Sequence, residues 1–138
     1  MSEAEEILAV AKDWVKKAEN DLKNAAFTLE MRDDCPTDTV CFHAQQCIEK
    51  YLKAFLVYKS IDFPKTHDIK ELIALLPASF HPTLTPEEQR RLTDYATVTR
   101  YPGDYEPIPL REAQRAVRIA RRVRIHIRKL LLPKILKK

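Results

Sequence analysis

Phe42-His43-Ala44-Gln45-Gln46-Cys47-Ile48-Glu49-Lys50-Tyr51-Leu52-Lys53-Ala54-Phe55-Leu56 is the stretch whose reading decides the fold. At about 100° per residue, Val40, Cys41, Ala44, Ile48, Tyr51, Leu52, Phe55 and Tyr58 fall on one side of a helix, and that side makes a core. Gln45, Glu49 and Lys53 recur at i, i+4 beside it and form a second, polar stripe. On a solvated helix the Glu49 and Lys53 pair would contribute only roughly 0.2–0.5 kcal/mol. Lying so close to the apolar face, the stripe suits helix pairing, and we expect it to be exposed and covered by a second subunit.

Outward from this helix the same periodicity recurs. Ile7, Ala11, Trp14, Ala18, Leu22, Ala25 and Leu29 mark a first helix from about Ala4 to Leu29. Asp33 to Pro36 interrupt the pattern, and Thr37 or Asp38 is placed to cap the second helix, which ends near Ser60. Pro64 enforces an extended approach to a short helix containing Ile69, Leu72, Ile73, Leu75 and Leu76, which Pro77 stops. Thr85 and Glu88 fit a capping box, with Pro86 in the first turn of a helix ending near Arg100. After Pro102, Gly103, Pro107 and Pro109, a final helix carries Ala113, Ala116, Val117, Ala120, Val123, Ile127 and Leu130 before Pro133 breaks it. We therefore expect an all-α protein, an antiparallel up-and-down bundle of four main helices plus one short one.

The composition agrees. A chain of 138 residues, 45% apolar and 32% charged, is long enough for one core and too apolar to be disordered. One domain over residues 1–138 is expected, with 131–138 a basic C-terminal tail. A single glycine argues against sheets joined by tight hairpins and against phosphate-cradling loops. No apolar run approaches the roughly 20 residues that span a bilayer, and the acidic start Glu3, Glu5, Glu6 is unlike a signal peptide. The expected location is the cytoplasm, with no membrane contact. Cys35, Cys41 and Cys47 are odd in number, which argues against a disulfide framework.

The net charge of +4 hides an asymmetry. Residues 111–138 carry eleven Lys and Arg against one acid, Glu112, or +10, which leaves −6 for residues 1–110. Such a chain can steer an anionic partner to one face or pair with its own kind.

Three segments, taken in order, resemble the HEPN family, named for higher eukaryote and prokaryote nucleotide-binding domains. They are the Phe42–Leu56 run, Pro64-Lys65-Thr66-His67-Asp68-Ile69, and Thr99-Arg100-Tyr101-Pro102-Gly103-Asp104-Tyr105. The likeness is to the type with an RYP loop that accompanies minimal nucleotidyltransferases. It implies a helical homodimer that binds a nucleotide or RNA. A nucleotidyltransferase partner would perform the chemistry, in a toxin-antitoxin-like pair or as a substrate-binding subunit.

In nuclease members of that family an Arg is followed four to six residues later by His, and the two act across a dimer. Here Tyr105 stands where the His would be after Arg100, and a phenol with a pKa of about 10 is a poor general base near neutral pH. The reading therefore favours binding over catalysis: Arg100 on phosphate or carboxylate, Tyr101 and Tyr105 stacking on a base, Asp104 holding Arg100. The same residues would equally make a loop brace. Arg100, Asp104 and Tyr105 remain the catalytic candidates for a metal-independent endoribonuclease toxin with a composite dimer site. A third alternative is an interaction subunit without any nucleotide site.

Arg111, Arg115, Arg118 and Arg122 share one face of the last helix, a rail suited to a phosphate backbone or to an acidic body. Arg121 and His126 match Arg-x4-His literally, but inside a helix, where the spacing is a coincidence of an Arg-rich segment. His67 in Thr-His-Asp is placed either to orient the third helix or to face a ligand. His43 and Cys47 are an i, i+4 pair without the further ligands a zinc site needs, and His81 is too far off to complete it. No metal or cofactor is expected.

Overall fold

A computed structural model describes residues 2–97 and 107–136. Among these residues six α-helices follow one another: α1 (Glu3–Leu29), α2 (Thr37–Tyr58), α3 (Ile69–Leu75), α4 (Pro86–Thr97), α5 (Leu110–Leu130) and α6 (Pro133–Leu136). Short 3-10 turns lie at Arg32–Asp34 and Ala78–Phe80, between α1 and α2 and between α3 and α4.

Local chemistry sets most boundaries. At the start of α1 the Ser2 hydroxyl accepts from the Glu5 N–H at 3.1 Å while Glu5 Oε1 accepts from the Ser2 N–H at 3.4 Å. The expected box at α4 has the same form, with Glu88 N–H on Thr85 Oγ1 at 3.0 Å and Thr85 N–H on Glu88 Oε1 at 2.9 Å. Asp68 caps α3 through the Glu71 N–H. Neither Thr37 nor Asp38 caps α2. The cap position is Pro36, and Thr37 instead donates its hydroxyl to the Ile108 carbonyl at 2.6 Å, because the chain returns there before α5.

The end of α2 is a Schellman turn made without glycine. Ile61 N–H reaches the Leu56 carbonyl at 2.8 Å and Ser60 N–H the Val57 carbonyl at 2.9 Å, with Ser60 at φ 57°.

α2 lies at the centre, packed against α1, α3, α4 and α5, and every residue from Tyr51 to Leu56 is buried. A helix apolar on one face only would not be covered on all sides. Cross-links fix its direction relative to its neighbours. Asp21 meets Lys50, Glu19 meets Tyr51 and Trp14 meets Lys53, so α1 and α2 are antiparallel. Thr37 meets Ile108 and Tyr51 meets Arg128, so α2 and α5 run the same way, as the second and fourth helices of an up-and-down bundle must.

Ile48, Leu52, Phe55, Leu72, Val123 and Ile127 fill the centre, and Phe80 from the 3-10 turn meets Phe55 edge to face at 5.2 Å. Truncating Leu52 to Ala would cost about 2–5 kcal/mol, because the surrounding helices cannot collapse into the gap.

The basic C-terminal tail expected at residues 131–138 is described as far as residue 136. Leu131 and Ile135 are buried and α6 packs on α1, since Pro133 starts a new helical turn rather than ending all order.

Candidate functional site

The polar stripe of α2 is inside the subunit. Gln45 is 0%, Glu49 2% and Lys53 7% exposed. The expectation of an open stripe is thus corrected: these side chains have almost no area left for a second copy, because α1 and the segment before α3 cover them. Glu49 is the hub. Its Oε1 accepts from Gln45 Nε2 at 3.1 Å and faces His67 Nδ1 at 2.8 Å, and its Oε2 accepts from Lys53 Nζ at 3.1 Å. Gln45 Nε2 also donates to the His67 carbonyl at 3.3 Å. The Lys53 ammonium lies 5.5 Å from the Trp14 ring centre and 5.9 Å from that of Phe63. These contacts compensate a charge that burial would otherwise penalise heavily.

His67 projects from this hub with a side chain 55% exposed. A carboxylate only accepts, so the neutral ring carries its hydrogen on Nδ1 and leaves the Nε2 lone pair available. The result is an oriented imidazole at the surface with a buried carboxylate behind it, an arrangement able to accept a proton or a hydrogen bond.

This corner adjoins the end of α4. Thr93 Oγ1 accepts from the Ile69 N–H at 3.0 Å, two residues after His67 in sequence, and Tyr95 donates to Glu112 in the first turn of α5 at 2.6 Å. The last turns of α4 therefore run between the start of α3 and the start of α5. Arg100, Tyr101, Asp104 and Tyr105 lie outside the described residues.

The basic face of α5 is divided. Arg115 and Arg122 lie 3.6 and 3.2 Å from Glu88 of α4, so two of the four arginines share one carboxylate within their own subunit. Burial alone would raise the Glu88 carboxyl, but the Thr85 N–H and the two arginines outweigh it and hold it below the usual carboxylate range. Arg111 and Arg118 are exposed and have no acidic partner among the described residues.

The other candidates are structural. His126 Nε2 is 2.7 Å from the Phe80 carbonyl, which pins α5 to the 3-10 turn and leaves the Arg121–His126 spacing without a site. His43 Nδ1 is 2.8 Å from Asp21 Oδ1, and Cys47 is buried with its thiol pushed well up by burial and the nearby Glu19 and Asp21 carboxylates. Among the described residues no group of three His, Cys, Asp or Glu is arranged to hold a metal ion. No described helix is long and apolar enough to cross a membrane.

Two acids on α1, the buried Asp21 and the half-buried Glu19, escaped the sequence reading. Asp21 bonds Lys50 Nζ at 2.6 Å as well as His43, and Glu19 accepts from Tyr51 at 2.5 Å and from Arg124 at 2.7 and 3.0 Å. The signal for Asp21 is its place between Ala18 and Ala25 on the apolar stripe, where an acid needs a partner.

The HEPN domain model matches residues 11–130. The chain belongs to the HEPN family. Among solved structures, that of TT1696 from Thermus thermophilus is similar, with 26% identity, a TM-score of 0.70, and coverage of 88% of this chain and 98% of that one. No curated protein matches the chain significantly. The hub on Glu49 and the α5 face are thus features of a HEPN bundle.

Proposed function

We propose that this HEPN protein binds a nucleotide or RNA as a homodimer and works with a nucleotidyltransferase partner. The observation that carries the reading is the oriented, half-exposed His67 beside the end of α4. From there the chain leads into the segment holding Arg100, Tyr101, Asp104 and Tyr105. On this reading Arg100 engages phosphate, Tyr101 and Tyr105 stack on a base, and His67 accepts a hydrogen bond from the ligand. Arg111 and Arg118 add charge along the approach. The homodimer brings two such corners together.

Titration of the purified protein with ATP and with a ten-nucleotide single-stranded RNA tests it. Binding to at least one, weakened tenfold or more in Arg100→Ala, is the expected outcome. Failure of both ligands to bind removes the reading.

A specific observation also favours a metal-independent ribonuclease. Tyr105 is a poor base, whereas His67 presents an imidazole whose tautomer a carboxylate fixes. In that case His67→Ala abolishes RNA cleavage in a chelator-containing buffer, and cleavage undiminished in His67→Ala eliminates it.

A further inference from the structure

A groove runs between α1 and α5 and is closed at one end by α6. Its larger section has a volume of about 720 Å³ and reaches from Lys12 to Lys23 on α1. A second section of about 340 Å³ shares Glu19, Lys23 and Arg124 with it and continues to Ala26 and Arg121. From Lys12 to Ala26 the groove follows α1 for about 21 Å, the length of roughly fourteen helical residues.

Its rims are cationic. Lys12, Lys16 and Lys23 line the α1 side, and Arg121, Arg124 and Arg128 the α5 side. Among the described residues Glu19 is the only acid lining either section, and Arg124 and Tyr51 already bind it. Lys12, Lys16, Lys23 and Arg121 have no acidic partner among the described residues. Between the rims the lining is aliphatic: Val15, Ile135 and Leu136 in one section, Leu22, Ala26 and Ile125 in the other. Ile125 is 52% exposed, although it sits between the arginines of α5.

We propose that this groove docks an acidic amphipathic helix of a partner protein, with the partner's apolar face on the aliphatic floor and its carboxylates on the two rims. Charge alone would serve RNA as well. The floor decides between them. Among the described residues no aromatic side chain lines either section, so bases would find no stacking platform, whereas branched aliphatic side chains suit the i, i+3, i+4 anchors of a helix. The inference does not depend on the nucleotide-binding reading. Loss of nucleotide binding in Arg100→Ala and loss of helix binding in groove variants are separate readouts, and either can fail alone.

The test uses fluorescence anisotropy with a labelled fourteen-residue peptide carrying Leu on one helical face and Glu on the flanks. A scrambled peptide of the same composition and a ten-nucleotide single-stranded RNA serve as competitors. The expected result is saturable binding of the amphipathic peptide, at least tenfold weaker for the scrambled one. The double variant Lys16→Glu with Lys23→Glu and the single variant Ile125→Ser should each weaken it at least fivefold. Helical circular dichroism of these variants matching the parent protein keeps the comparison valid, since all three positions are on the surface. Absence of peptide binding, equal binding of the two peptides, or displacement by RNA with the same loss in Ile125→Ser as in the charge variant overturns the proposal.

Discussion

His67 Nδ1 lies 2.8 Å from Glu49 Oε1, which joins a half-exposed imidazole to a carboxylate that is almost wholly buried. The pair ties the extended segment before α3 to the central helix. It also sets the consequences of changing either residue.

Glu49→Ala strips the counter-charge from the buried Lys53 ammonium, and such a loss costs about 3–5 kcal/mol. Urea unfolding should show a lower midpoint at unchanged slope. Glu49→Leu combined with Lys53→Met removes both charges and should recover most of the loss. A single-variant cost under about 1 kcal/mol would mean that the hub does not stabilise the fold.

Ser60 sits in the left-handed region at φ 57°, where a Cβ is unfavourable. Ser60→Gly keeps both bonds of the Schellman turn and should stabilise the protein by about 0.5–1 kcal/mol, after the greater freedom of glycine in the unfolded chain is subtracted. A lower melting temperature would contradict that account of the α2 end.

Burial alone would raise the Glu19 carboxyl, but the bonds from Arg124 and Tyr51 and the charge of Arg128 prevail and hold it below its ordinary value of 4.5. A folded-state pKa below the unfolded one gives stability that is present above about pH 4.5 and lost as pH falls through the folded value. Unfolding free energies measured from pH 6 to pH 3 should therefore decline less steeply in Glu19→Gln than in the parent chain. Parallel profiles would remove Glu19 from the acid response.

The division of the α5 face predicts unequal salt effects on RNA binding. Arg111→Gln with Arg118→Gln should reduce the slope of log affinity against log salt by about 1.4, or about 0.7 for each lost phosphate contact on a single strand. Arg115→Gln with Arg122→Gln should change it less, because Glu88 already offsets part of the charge of that pair. Equal slopes would show that the rail acts as one unit.

Helix periodicity made the bundle legible in the sequence, and the boundaries were clearest where a short-range signal exists, as at Thr85 and Glu88. The box at Ser2 and Glu5 has the same signature and was equally readable. The stripe at Gln45, Glu49 and Lys53 was visible as a pattern, but its burial was not. Polar residues at i, i+4 look alike on a solvated face and inside a buried hydrogen-bonded network, and only the return of the chain at His67 distinguishes the two. Likewise, the pairing of Arg115 and Arg122 with Glu88 joins helices far apart in sequence. Local spacing carries no record of such contacts.

Because α2 touches four other helices, the amides of its buried stretch from Tyr51 to Leu56 should exchange with solvent deuterium only when the bundle opens. The four-residue α6, held on α1 chiefly by Ile135, can open by itself. Protection should thus fall from the middle of the molecule toward its C-terminal rim. Motion that accompanies partner exchange at the α6 end need not disturb the tethered imidazole on the other side of the central rod.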